Sequence, residues 1–191
     1  MQIGVLGLQG DVTEHVTILR KFLREGEVKV VKRAKDIEKL DGLVIPGGES
    51  TTIGKLMVKY GIDKAVKNKR LAIFGTCAGS ILLAKNILNS EQSSLGLMDI
   101  KIERNAYGRQ RESFEAEIPI PVLGKKPFRA VFIRAPVIRE VSRGVDVLAE
   151  HRGDVILARQ DRYLAASFHS ELTEDLRIHE YFISEVVRCV A

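Results

Sequence analysis

A chain of 191 residues, 45% hydrophobic and 29% charged, has the size of one α/β domain over residues 1–191 and an ordinary water-soluble composition. No apolar run approaches the roughly 18 residues of a membrane span, and Met1-Gln2-Ile3-Gly4 lacks the basic start of a secretory leader, so the expectation is a cytoplasmic protein with no membrane partner. Two cysteines, Cys77 and Cys189, make neither a disulfide framework nor a zinc site, and a net charge of +5 scattered among acidic residues, with no tryptophan, argues against a nucleic-acid partner.

Residues 2–8 form a nearly continuous apolar run, which suits a central parallel strand buried on both faces. The run ends in Gly7-Leu8-Gln9-Gly10-Asp11, whose spacing is wrong for a dinucleotide fingerprint, so no phosphate site is expected. Val12, Val16, Leu19, Phe22 and Leu23 then recur at helical spacing, with Asp11 as the expected N-cap. Residues 27–31 and 41–45 read as the second and third strands, separated by a charged stretch. The third runs into Pro46-Gly47-Gly48-Glu49-Ser50-Thr51-Thr52, where adjacent glycines let the backbone turn its amides toward a ligand. Ser50 or Thr51 is expected to cap the helix that follows, which carries Ile53, Leu56, Met57 and Tyr60.

Residues 71–74 read as a fourth buried strand, followed by Gly75-Thr76-Cys77-Ala78-Gly79 and a helix expected to run to about Leu88. This is the G-x-nucleophile-x-G spacing of a nucleophile elbow, with cysteine at its centre. A nucleophile on so sharp a strand-to-helix turn needs strained backbone angles, and side chains at the flanking glycine positions would collide with strand or helix. The N–H of Ala78 then lies beside the sulfur, where an oxyanion would form. The alternation of strands and helices to this point predicts a doubly wound, mostly parallel sheet with helices on both faces and ligands at the carboxyl ends of its strands.

Beyond Leu95 the pattern changes. Residues 95–103, 113–118 and 128–133 alternate apolar and polar, as half-exposed antiparallel strands do, around the arginine-rich loop 104–111. Residues 145–148, 154–158 and 162–167 read as a meander, and the chain closes on an amphipathic helix carrying Ile178, Phe182, Ile183, Val186 and Val187. Of the four histidines, His15 and His179 are expected to be packing or surface residues and His151 a turn residue. His169 follows a strand, and Glu171 lies two residues on, on the same side of an extended segment. It is the histidine placed to serve Cys77 as a base, with Glu171 orienting it.

Gly75-Thr76-Cys77-Ala78-Gly79, the Pro46–Thr52 loop and Phe168-His169-Ser170-Glu171 together resemble the class I (triad) glutamine amidotransferases. The whole chain is similar, more narrowly, to the glutaminase subunits of pyridoxal 5′-phosphate synthase. Residues 4–10, 103–105, 108–110, 113–115, 132–136 and 167–175 also match, in order. One departure is Ser170, where that family usually has proline. The resemblance implies a flavodoxin-like amidotransferase fold with additional antiparallel strands. It also implies hydrolysis of L-glutamine to glutamate and ammonia by Cys77, His169 and Glu171, with no metal or cofactor. It assigns Gly47, Gly48, Glu49, Ser50, Ala78, Arg104, Ile133 and Arg134 to the substrate and its oxyanion. It implies a partner too: a (β/α)8-barrel synthase subunit that takes the ammonia within a large hetero-oligomer, with the Gln9-Gly10 turn and the loop around Arg109 facing it and the Gly47-Gly48 loop set fully only on docking. The alternatives are a glutaminase for another synthase, such as imidazole glycerol phosphate synthase, a cysteine peptidase or deglycase-type elbow protein, or a non-catalytic regulatory subunit. The Glu103-Arg104-Asn105 and 132–136 segments argue against the first. The 92 positions from Cys77 to His169 argue against the second, and an intact triad against the third.

Overall fold

In the computed structural model, which describes residues 1–24, 26–107 and 113–188, four short apolar strands and the helices between them build the first half. They are β1 (Ile3–Leu6), α1 (Val12–Arg20), β2 (Val28–Val31), β3 (Gly42–Ile45), α2 (Ser50–Lys59), α3 (Ile62–Lys69), β4 (Ala72–Thr76) and α4 (Ala78–Leu83). The second half holds β5 (Ala84–Leu88), β6 (Met98–Glu103), β7 (Ser113–Ile118), β8 (Phe128–Ile133), β9 (Val137–Val141), β10 (Asp146–His151), β11 (Asp154–Gln160), β12 (Tyr163–Ala166) and α5 (Arg177–Tyr181). A π-helical segment, Phe182–Val187, continues α5. Among the described residues no helix is long and apolar enough to cross a membrane.

The main sheet runs β2-β1-β3-β4-β12-β11-β9-β6-β5, with β10 paired to β11. Its first five strands are parallel, in the order typical of doubly wound flavodoxin-like sheets. Along each of them the side chains part to two cores. Ile3, Val5, Val44, Ala72, Phe74, Leu164 and Ala166 face α1, α5 and the π-helical segment. Leu6, Leu43, Ile45, Ile73 and Ala165 face α2, α3 and α4. Burial on both faces is why β1, β3 and β4 are continuous apolar runs rather than alternating ones, whereas the edge strand β2 exposes Lys29 and Val30.

The expected meander is present, since β10, β11 and β12 pair antiparallel in turn. Its last strand also pairs in parallel with β4, from Tyr163↔Ile73 to Ala166↔Thr76. β12 therefore joins the parallel half to the antiparallel half and brings the residues after it to the carboxyl edge beside Cys77. β9 has no counterpart among the sequence-predicted strands; it bridges β6 and β11. β7 and β8 form a separate antiparallel ribbon.

One helix boundary differs from the sequence reading. The helix after Cys77 stops at Leu83, and Ala84 turns extended at φ −62°, ψ 142°. Residues 84–88 instead pair in parallel with β6, from Ala84↔Met98 to Leu88↔Glu103; ladder pairing supplied by a distant strand overrides a helical pattern that local spacing suggests. The helical stretch from 50 to 69 is broken at Gly61, which takes φ 68°. Behind the site, Phe168 packs at a tilt on Phe128 and Phe132, with ring centroids 5.8 and 5.7 Å away. Each such fully buried ring contributes about 1.5–3 kcal/mol of transfer free energy, and here that energy seats the β8 ribbon against the segment that presents His169.

Candidate active site

Four strand ends converge on one crevice. β1 supplies the Gln9-Gly10-Asp11 turn, β3 the Gly47–Ser50 loop, β4 the Cys77 elbow, and β12 the His169–Glu171 segment. The crevice lies outside the carboxyl edge of the parallel strands, the expected ligand position in such sheets.

Cys77 holds φ 46° and ψ −103°, a strained conformation for a residue with a Cβ. The flanking glycines show why it can be held. A Cβ at Gly75 would lie 2.5 Å from the carbonyl of Gly79, and one at Gly79 would lie 2.0 Å from the carbonyl oxygen of Ile45. The Cys77 N–H donates to Ala166 O at 2.8 Å, locking the elbow to the end of β12. Its thiol faces Ile133 O at 3.9 Å.

His169 is held by its N–H to Val131 O at 2.8 Å and lies almost wholly buried. Its Nδ1 meets Glu171 Oε1 at 2.7 Å; the pairing is the expected one, but Glu171 reaches the ring from a 3-10 turn, Ser170–Leu172, and not from an extended segment. A second carboxylate reaches the same nitrogen: Asp11 Oδ2 lies 3.1 Å away. Burial works against charge on this ring, but hydrogen bonds with Asp11, Cys77 and Glu171 outweigh it and push the imidazolium up to about 12. Burial raises the Glu171 carboxyl, an effect that the bond to His169 opposes. The hydrogen bond to His169 holds Asp11 below the usual carboxylate range. Asp11 stands at the N-cap position of α1 as expected, but its side chain makes no capping bond to the helix; it is turned to the histidine instead.

A cavity of about 440 Å³ opens over Cys77 and His169. Of the other sequence-predicted residues, Gly48, Glu49, Ser50, Ala78, Arg104, Ile133 and Arg134 all line it, together with Gln9, Asp11, Ile81 and Asn105. Glu171 stands behind His169, and Gly47 lies behind the loop. The Gly47 N–H donates to Thr76 Oγ1 at 3.1 Å, which leaves Gly48 as the candidate oxyanion donor of this loop beside Ala78. A Cβ at Gly47 would lie 2.3 Å from the His169 ring, and one at Gly10 would lie 1.7 Å from Gly47 O; both positions need glycine for close approach. The loop is further tied by Asp11 N to Gly47 O at 3.2 Å and by Glu49 N to Gln9 Oε1 at 2.8 Å.

Glu49, rather than Ser50 or Thr51, caps α2, accepting from the backbone N–H groups of Thr51 and Thr52. Against the opposing effect of burial, those bonds and the Thr52 hydroxyl bring its carboxyl down to about 2. The Ser50 hydroxyl donates instead to Gln92 Oε1 at 3.0 Å. Arg104 Nη2 sits 3.3 Å from Glu49 Oε1, so one wall of the cavity carries a fixed anion beside a fixed cation. That pair is suited to the ammonium and carboxylate of a free amino acid.

Three histidine readings sharpen. His15 and His179 are wholly buried and touch each other, Nδ1 to Nε2, at 3.0 Å. His151 lies in β10 rather than a turn, stacked near Phe114 and Phe132. Sequence reasoning missed the parts played by Asp11, Gln9, Thr76 and His15, because the groups that they bond, His169, Glu49, Gly47 and His179, lie far from them in the chain. The Arg109 loop and Cys189 lie outside the described residues.

The model of the SNO glutamine amidotransferase family matches residues 5–188 of this chain. The pyridoxal 5′-phosphate synthase subunit PdxT of Niallia circulans is 53% identical over 189 residues, covering 97% of this chain and 98% of that protein. The PdxT of Thermotoga neapolitana is 51% identical, covering 97% of this chain and 100% of that protein. A glutamine amidotransferase crystal structure superposes with a TM-score of 0.91 at 48% identity, covering 98% of this chain and 100% of that one. A protein from Thermoplasma acidophilum, 16% identical with a TM-score of 0.74, shares the fold.

Proposed function

We propose, on the premise that this chain belongs to the SNO glutamine amidotransferase family, that it is the glutaminase subunit of a pyridoxal 5′-phosphate synthase and acts through a Cys77-His169-Glu171 triad in one amidotransferase domain. The observation that carries the reading is the strained Cys77 elbow facing a histidine whose Nδ1 is bonded to Glu171, beneath the Glu49–Arg104 wall.

Cys77 Sγ, as thiolate beside the imidazolium, attacks the side-chain amide carbon of L-glutamine. The tetrahedral oxyanion is taken by the N–H groups of Ala78 and Gly48. His169 gives its proton to the departing nitrogen, and the C–N bond breaks to leave a thioester and ammonia. His169, now neutral, takes a proton from water, whose oxygen attacks the thioester, and glutamate leaves as Cys77 is restored. Glu171 keeps the Nδ1–H tautomer and supports the imidazolium at each charged stage. Glu49 and Arg104 meet the α-amino and α-carboxylate groups. Ser50, Ile133 and Arg134 complete the cavity wall around the substrate, and Gly47 anchors the loop.

Ammonia is a product that water would protonate, so a synthase partner that takes it directly fits the reaction. The names of the relatives, subunits of a pyridoxal 5′-phosphate synthase, support a partner subunit; the family resemblance makes it a (β/α)8 barrel, and we place the Gln9-Gly10 turn on the docking side. The test is ammonia release from glutamine with the barrel subunit present. Wild type is expected to release it, with Cys77→Ala at least about 1,000-fold slower, since loss of the nucleophile removes the covalent route. An unchanged rate in Cys77→Ala would refute the triad. Equal wild-type rates with and without the barrel would refute the idea that docking sets the loop.

A further inference from the structure

Behind Glu171 runs a buried polar line that the reaction above does not use. His15 of α1 sets Nε2 3.0 Å from Thr76 Oγ1 and 3.4 Å from Glu171 Oε2, and Nδ1 3.0 Å from His179 Nε2. All four side chains are buried. Thr76 Oγ1 accepts from the Gly47 N–H at 3.1 Å, so the line joins the triad carboxylate to the glycine loop over the cavity. Glu171 Oε1 is satisfied by His169, whereas Oε2 is buried and makes no hydrogen bond among the described residues; the His15 ring edge is what faces it.

Two proton arrangements are open to the pair of histidines. With the His15 proton on Nδ1, His179 Nε2 must accept it and His179 must carry its own proton on Nδ1, a buried atom with no partner among the described residues. The Nε2 lone pair of His15 would then accept from the Thr76 hydroxyl but also lie 3.4 Å from the Glu171 carboxylate. The orphaned N–H of His179 and the lone pair set beside a carboxylate are unfavourable in a dry interior. In the other arrangement His179 donates from Nε2 to His15 Nδ1, and His15 donates its Nε2–H to Thr76 Oγ1, with Glu171 Oε2 3.4 Å from the same polar N–H. What remains unpartnered is an unprotonated ring nitrogen, the milder of the two omissions. Burial and the neighbouring imidazoles hold His15 well below its ordinary range, in keeping with a neutral ring.

We infer that His15, as its Nε2–H tautomer, is a positioning residue for the glutaminase reaction: it supports the outer oxygen of Glu171 and, through Thr76, the Gly47 turn. The inference rests on the glutaminase reading. One side chain on α1 thereby sets both the orienting carboxylate and the loop that carries an oxyanion donor. The charged and titratable groups facing Glu171 are His169 next to it and Asp11 and His15 from α1 and its entry turn. His15 faces His179 from α5, Thr76 and the Phe74 ring from β4.

Nitrogen-15 imidazole NMR of the wild-type protein tests the tautomer without reference to activity. His15 and His179 are each expected to carry their proton on Nε2, and a proton on His15 Nδ1 overturns the inference. Ammonia release in the presence of the barrel subunit tests the consequence. His15→Leu is expected to lower kcat about 10- to 100-fold with KM changed by less than about twofold, the size of one hydrogen bond to a charged group felt only as charge develops. Its acid limb of kcat/KM should move to higher pH, because Glu171 without its facing N–H takes up a proton sooner. His15→Gln, which restores an N–H there, should recover part of kcat. A His15→Leu protein with wild-type kcat and pH profile overturns the inference, whereas a wild type that releases no ammonia overturns the glutaminase reading instead. Should His15→Leu fail to fold, the wild-type tautomers decide.

Discussion

Ser170 occupies the turn between His169 and Glu171, the two residues that the proposed triad takes from one segment. Its side chain is buried, and its hydroxyl finds no partner among the described residues, so the departure from the proline usual in this family leaves a desolvated polar atom. Ser170→Ala should therefore stabilise the fold by about 1 kcal/mol, read as a higher urea midpoint, with glutaminase kcat unchanged because neither His169 nor Glu171 loses a partner. A lower midpoint would show that the hydroxyl is in fact bonded. At this scale the sequence was legible where partners are close in the chain. The His169–Glu171 contact was expected from their nearness in sequence and is present, although a 3-10 turn rather than an extended segment brings the two together. Asp11 was legible as the N-cap residue of α1, but its side-chain partner was not, because His169 lies on a different strand end.

The elements show what the elbow motif demands of its surroundings. Gly79 brings the first turn of α4 against β3, where a methyl group would sit 2.0 Å from Ile45 O. Backbone cannot yield as a flexible side chain does. Gly79→Ala is therefore expected to push α4 outward, destabilise by about 1–3 kcal/mol and lower kcat through the displaced Ala78 N–H. Thermal unfolding and ammonia release measure the two effects, and a neutral variant would mean that β3 and α4 are less closely engaged. The glycine spacing was readable from the sequence. The early end of α4 was not, because residues 84–88 become a strand only once β6 is there to pair with them. β9 went unseen for a similar reason: its hydrogen bonds belong to strands far away in the chain.

At the scale of the whole molecule, the buried histidines make stability depend on pH. Burial lowers His179 from the ordinary 6.5 to about 3 and His15 well below 6.5 as well. The unfolded chain then binds protons below 6.5 that the folded one refuses, so stability falls as pH drops through that value. His169 is raised, so its contribution is whole below 6.5 and is lost only as pH climbs toward about 12. Glu171, raised by burial, opposes the acid loss, but with one proton against two. The urea midpoint should accordingly fall from pH 7 to pH 5, and His179→Leu should flatten that slope; a midpoint level across this range would contradict the burial of the pair.

The sequence by itself determined the doubly wound half of the fold, the nucleophile elbow, the glycine loop after β3 and the His169–Glu171 pair. Each is written in side-chain period or in spacing over a few residues, where backbone geometry alone decides which groups meet. Only the tertiary structure decided that β12 pairs with β4 and so carries His169 to Cys77. It also decided that Glu49 rather than Ser50 caps α2, and that Asp11 joins the imidazole. His15 and His179, 164 positions apart, meet behind Glu171. Those contacts form because burial removes water as a competing partner, and no local pattern records which distant group will take its place.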